Sequence, residues 1–131
     1  MYLLTLDLGR TTGWASWYDP DRVHKYGNAT DLNELFLYIR NIGVPMHVVV
    51  EKPVVIRGPL GDEMAALIAR TESEYGEIIV YVTAADWKPH PITSDLKVEL
   101  KRMGMKNLSK HELDAICIGC WYMNVRLQSS A

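Results

Sequence analysis

The sequence of 131 residues holds no apolar run long enough to span a membrane. It opens with no basic lead and no small-residue cleavage site, so a cytoplasmic protein is expected. Cysteine is scarce, with only Cys117 and Cys120. Their C-x-x-C spacing raises zinc or redox chemistry, but zinc needs two further ligands, and no second Cys/His pair stands at a suitable spacing. Both lie in Ala115-Ile116-Cys117-Ile118-Gly119-Cys120-Trp121, apolar on all sides, and read as small core residues of a buried helix. Repeats, linkers and low-complexity segments are also missing. With 48% apolar residues, disorder is excluded, and the length suits one domain with its own core.

A net charge of -2 conceals an uneven distribution. Residues 1–87 carry seven Lys or Arg against twelve Asp or Glu, whereas residues 88–111 carry six against two. A basic stretch late in an acidic chain suggests a local anion-binding surface, the plainer alternative being a solvated helix face.

What is present begins with Leu3-Leu4-Thr5-Leu6-Asp7-Leu8-Gly9, an apolar strand carrying one carboxylate and turning at a glycine. Trp14-Ala15-Ser16-Trp17-Tyr18 reads as a second strand, necessarily antiparallel because the connection is so short. Val23–Gly27 is expected to complete a meander. Thr30 or Asp31 caps a helix with Leu32, Leu35, Phe36 and Ile39 inward, which Gly43 and Pro45 end. Val48-Val49-Val50 forms a buried fourth strand with Glu51 at its carboxyl end, where sites gather in parallel sheets.

Val54–Gly61 reads as a mobile loop. It precedes a helix from Asp62 to Tyr75 whose Met64, Leu67 and Ile68 stripe serves either the sheet or a partner subunit. Ile78–Thr83 is the fifth strand, and Ala84–Pro91 is expected to be irregular. Thr93 or Ser94 opens a helix with Leu96, Leu100 and Met103 inward and Lys97, Lys101 and Arg102 outward. Ser109-Lys110-His111-Glu112 fits a capping box, opening a helix that runs to about Arg126. The expected architecture is α/β: a mixed five-stranded sheet flanked by helices.

Asp7, Glu51 and Asp114 stand out as carboxylates in or beside apolar elements, with His111 one turn from Asp114. Singly, each has a structural explanation in a turn, a solvated strand end or a helix dipole. Together they resemble the oxygen-rich set that holds hard divalent cations, and two such ions can drive phosphodiester hydrolysis. Lys52, Arg57, Lys88, Lys97, Lys101, Arg102, Lys106 and Lys110 are candidate contacts to a nucleic-acid backbone. Trp87 is a candidate for stacking on an unpaired base, or else for packing within its loop.

Leu6-Asp7-Leu8-Gly9-Arg10-Thr11-Thr12-Gly13-Trp14, Val48-Val49-Val50-Glu51-Lys52-Pro53 and His111-Glu112-Leu113-Asp114-Ala115 together resemble the RuvC-like Holliday junction resolvases of the RNase H-like superfamily, in a short, phage-type form. The resemblance implies an RNase H-like fold over residues 1–131. It also implies a crossover-junction endonuclease with Asp7, Glu51 and Asp114 as ligands of Mg2+ or Mn2+, two ions per site. His111 would be a further ligand or an aid to the attacking water. The family carries Asp or His at that position, and an imidazole there favours the softer manganese. The resemblance further implies branched DNA as partner and a homodimer paired through the Asp62–Tyr75 helix. Ribonucleases of the same superfamily, YqgF-like nucleases and a non-catalytic branched-nucleic-acid binder remain alternatives. Actin-like ATPases share the D-x-G opening but require a second lobe.

Overall fold

In a computed structural model the chain forms a five-stranded mixed sheet with helices on both faces. The structure describes residues 1–20, 22–53, 57–105 and 107–127. The strands are β1 (Leu3–Asp7), β2 (Thr12–Asp19), β3 (Arg22–Ala29), β4 (His47–Glu51) and β5 (Ile79–Val82). Their order across the sheet is β3-β2-β1-β4-β5, with β1, β4 and β5 parallel and β2 antiparallel to both its neighbours.

Two helices cover one face of the sheet, α1 (Leu32–Ile42) and α2 (Pro59–Tyr75). Asp31 caps α1 by accepting from the Asn33 and Glu34 amides. Met64 is buried, and Leu67, Ile68 and Tyr75 pack on the cluster formed by α1 and the sheet. The α2 stripe is thus used on its own sheet. The other face carries α3 (Ala84–Trp87), α4 (Pro91–Arg102) and α5 (Lys110–Trp121), which a π-helical turn over Tyr122–Arg126 extends. Among the described residues, no helix is long and apolar enough to cross a membrane.

Strand alternation divides the core between these faces. Leu4, Leu6, Leu8, Val48 and Val50 belong to the α1/α2 side, whereas Leu3, Ala15, Trp17, Val49 and Val82 belong to the α5 side. Asp7 shares the parity of Leu3, and Glu51 that of Val49, so both carboxylates project on the face that α5 covers.

Several local expectations are corrected. The segment expected to be irregular contains α3, because Thr83 and Asp86 make a reciprocal capping box. The helix expected from Asp62 starts at Pro59, a residue suited to the first helical turn. Pro91 likewise opens α4 ahead of Thr93, with the His90 ring accepting from the Ile92 amide. Met103 is exposed rather than inward because α4 ends at Arg102. Lys97 is half-buried rather than fully outward. The expected loop at Val54–Gly61 is helical from Pro59, and its residues 54–56 lie outside the described residues.

Candidate active site

The site is built at the carboxyl ends of β1 and β4, where the parallel register sets Asp7 directly beside Glu51. Asp7 also faces Gly13 on β2 in the antiparallel register. That glycine is required by a close approach, because a Cβ there would overlap the backbone carbonyl of His111 in the first turn of α5. The absence of a side chain at Gly13 lets the N-terminus of α5 come down onto the sheet.

Four further features hold α5 in that position. Ser109 caps it, its hydroxyl accepting from the Glu112 amide while Glu112 accepts from the Ser109 amide. Asn28 on β3 clasps this box, accepting from the Ser109 hydroxyl at 3.0 Å and donating to Glu112 at 3.2 Å. One turn later the Thr5 hydroxyl on β1 donates to the Ala115 carbonyl at 2.7 Å. Farther along, Gly119 lies against the Trp17 ring so closely that a Cβ would clash. The helix is thereby pinned to β1, β2 and β3.

Pinned in this way, α5 presents Asp114 and His111 beside the two strand carboxylates. Asp114 is 4% exposed. His111 keeps 46% of its side chain exposed and holds Nδ1 3.6 Å from the nearer Asp7 oxygen. The carboxylates feel one another strongly. Burial, a carboxyl–carboxyl hydrogen bond to Glu51 and the charges of Glu51 and Asp114 push Asp7 up to about 8, against a smaller downward pull from Lys88. Burial also raises Asp114, opposed by Lys88, Lys97 and Lys110.

Glu51 has a second partner. The Trp87 indole Nε1–H donates to its Oε1 at 2.9 Å, and the Trp87 side chain is 0% exposed. Trp87 is therefore not available to stack on a base. The packing alternative holds, because its ring is enclosed in the cluster under α5. Sequence reasoning missed the bond to Glu51, since Trp87 and Glu51 meet only through the tertiary fold.

The basic residues are placed differently from one another. Lys88, Lys97 and Lys110 act electrostatically on the carboxylates. Lys52 instead lies over the Tyr81 ring, 4.6 Å from its centre. Arg102 pairs with Glu99 on its own helix at 2.8 Å. Lys97 and Lys101 flank an apolar groove floored by Leu100, Met105, Leu108 and Leu113. Arg57 is exposed just before α2, and Lys106 lies outside the described residues. Cys117 and Cys120 are free thiols that burial pushes up to about 12 and about 11, in keeping with a place in the core.

Among the described residues, no three His, Cys, Asp or Glu side chains are drawn together as a ready-made metal site. The donor set still fits a hard divalent cation. It consists of mutually repelling oxygen donors from three separate elements, Asp114 buried and Asp7 and Glu51 half-buried, and a cation among them would relieve the repulsion that raises Asp7. Compared with known proteins, the chain matches no protein-family model and no curated protein.

Proposed function

We propose that the protein is a divalent-metal-dependent endonuclease acting on branched DNA, most specifically four-way junctions, and that it works as a homodimer so that two strands are cut. The observation that carries this reading is the grouping of Asp7, Glu51 and Asp114 on one sheet face, with the first two forced into carboxyl–carboxyl contact at a cost in Asp7 acidity. Support also comes from the RNase H-like sheet order, from the residues that resemble RuvC-like resolvases, and from the lysines beside the carboxylates.

In this reading Asp7, Glu51 and Asp114 would hold the metal, and His111 would be a further ligand or would assist the attacking water. Divalent ions bound there supply activation of a water and stabilisation of the leaving 3′ oxygen of a phosphodiester. The protein's own side chains do the rest. Lys88, Lys97 and Lys110 attract the phosphate backbone and orient it against the carboxylates without reading sequence. The half-exposed His111 imidazole, with Nδ1 3.6 Å from Asp7, would accept a proton from the attacking water. Pinning of α5 to the sheet keeps Asp114 and His111 in register with the strand carboxylates. The products are a 5′ phosphate and a 3′ hydroxyl.

The test offers the purified protein a four-way junction, a linear duplex and an RNA–DNA hybrid, each with Mg2+ and with Mn2+, beside an Asp7→Asn variant. Paired symmetric nicks in the junction alone, lost in the variant, are expected. Cleavage of the hybrid alone transfers the enzyme to the ribonuclease branch. Junction binding without any cleavage refutes the enzymatic reading and leaves a binding protein.

A further inference from the structure

We infer that Trp87 is a positioning residue for Glu51, its indole N–H holding one carboxylate oxygen so that the other is presented to a bound cation. This inference rests on the metal-site reading above. Its geometry is independent of that reading: a fully enclosed tryptophan whose one polar atom donates to Glu51 Oε1 at 2.9 Å. A buried indole N–H needs an acceptor, and here the acceptor is a candidate ligand rather than a backbone carbonyl.

The donor is itself immobilised from both sides in sequence. The Thr83 and Asp86 capping box fixes the start of α3, whose last residue is Trp87. The Thr93 hydroxyl, in the first turn of α4, donates to the Trp87 carbonyl at 2.7 Å. The ring then packs against the cluster of α5 and the sheet. A core side chain thus reaches from the hydrophobic interior to the edge of the site. Partners of this kind orient metal-binding groups and set how strongly they bind.

Nuclear magnetic resonance of 15N-labelled protein reads this contact directly. The chain has four tryptophans and so four indole N–H signals, and Trp87→Phe identifies the one that belongs to Trp87. Glu51→Gln is expected to displace that signal, because an amide oxygen accepts more weakly than a carboxylate. Titration of the wild-type protein with Mg2+ is expected to displace it as well.

Calorimetry supplies the second readout: Trp87→Phe should weaken Mg2+ binding by about tenfold or more. Trp121→Phe, which alters another buried tryptophan on α5, should leave Mg2+ affinity within about twofold. A Trp87 signal that ignores both Glu51→Gln and Mg2+, in a protein that does bind the ion, overturns the positioning role and spares the metal site. A wild-type protein that binds neither Mg2+ nor Mn2+ overturns both, even where Glu51→Gln still moves the indole signal. Should Trp87→Phe fail to fold, the Glu51→Gln and Mg2+ displacements in the tryptophan-intact chain decide the matter.

Discussion

Replacing Asp7 with asparagine should stabilise the metal-free protein at neutral pH, although it removes a residue placed at the centre of the site. The reason is the position of its proton equilibrium. In the folded chain Asp7 is raised from 3.8 to about 8, chiefly by burial and then by Glu51 and Asp114. An acid with a raised folded value binds its proton more tightly in the native state than in the unfolded one. Native stability is then complete below about pH 4, falls as pH rises between about 4 and 8, and is fully lowered above about 8.

Every tenfold gain in proton affinity on folding corresponds to about 1.4 kcal/mol, giving a ceiling of about 6 kcal/mol, reached only above pH 8. Asp7 keeps 14% of its side chain exposed, and partial contact with solvent screens the charges around it, which reduces the realistic figure to about 2–3 kcal/mol. For a chain of this size that is a melting-temperature difference of roughly 10 °C. Thermal unfolding followed by circular dichroism in EDTA, from pH 5 to pH 8, makes the comparison. The wild-type midpoint should fall across this range more steeply than that of Asp7→Asn, and the variant should be the more stable at pH 8. Mg2+ or Mn2+ should then raise the wild-type midpoint and leave the variant nearly unmoved, since cation and proton relieve the same repulsion. A variant that is less stable than the wild type at pH 8 in EDTA, or a parallel pH dependence of the two, refutes the reasoning.

Gly13→Ala should cost about 1–3 kcal/mol, because the added methyl meets the His111 carbonyl and pushes α5 off the sheet; denaturant unfolding measures the loss. Asn28→Ala removes both bonds to the α5 capping box and should cost about 1 kcal/mol by the same assay. Lys88→Gln should weaken junction binding and reduce the slope of log affinity against log salt by about one, read from gel shifts at several salt concentrations.

Much of this site is legible in the chain because two simple periodicities converge on it. Period-two alternation assigns Asp7 the same face as Leu3 and Thr5, and Glu51 the same face as Val49. Once the β1–β4 pairing is parallel and in register, the two carboxylates must be neighbours. The capping box at Ser109 marks the start of the third carboxylate-bearing element as clearly. What escapes a linear reading is each contact whose meaning lies on a different element. Gly13 gives no signal in the sequence, yet its smallness answers to His111, 98 positions away. Asn28 gives no signal of its role, because a polar residue late in an exposed strand is ordinary until α5 descends onto it.

Trp87 shows why such contacts are hidden. Its immediate surroundings, Asp86, Lys88 and Pro89 with His90 beyond, are those of an exposed loop, and exposure is what makes a tryptophan a candidate for base stacking. The local capping box instead winds those residues into one helical turn and delivers the indole inward. Composition could indicate that a tryptophan was present near basic residues, but its direction depended on Thr83 and Asp86, whose spacing is a weak signal in so short a helix. The same inward turn leaves Lys88 exposed, close enough to act on Asp7 and Asp114. One turn of helix thus assigns adjacent residues to opposite tasks, a buried donor to Glu51 and a solvent-facing cation beside the carboxylates.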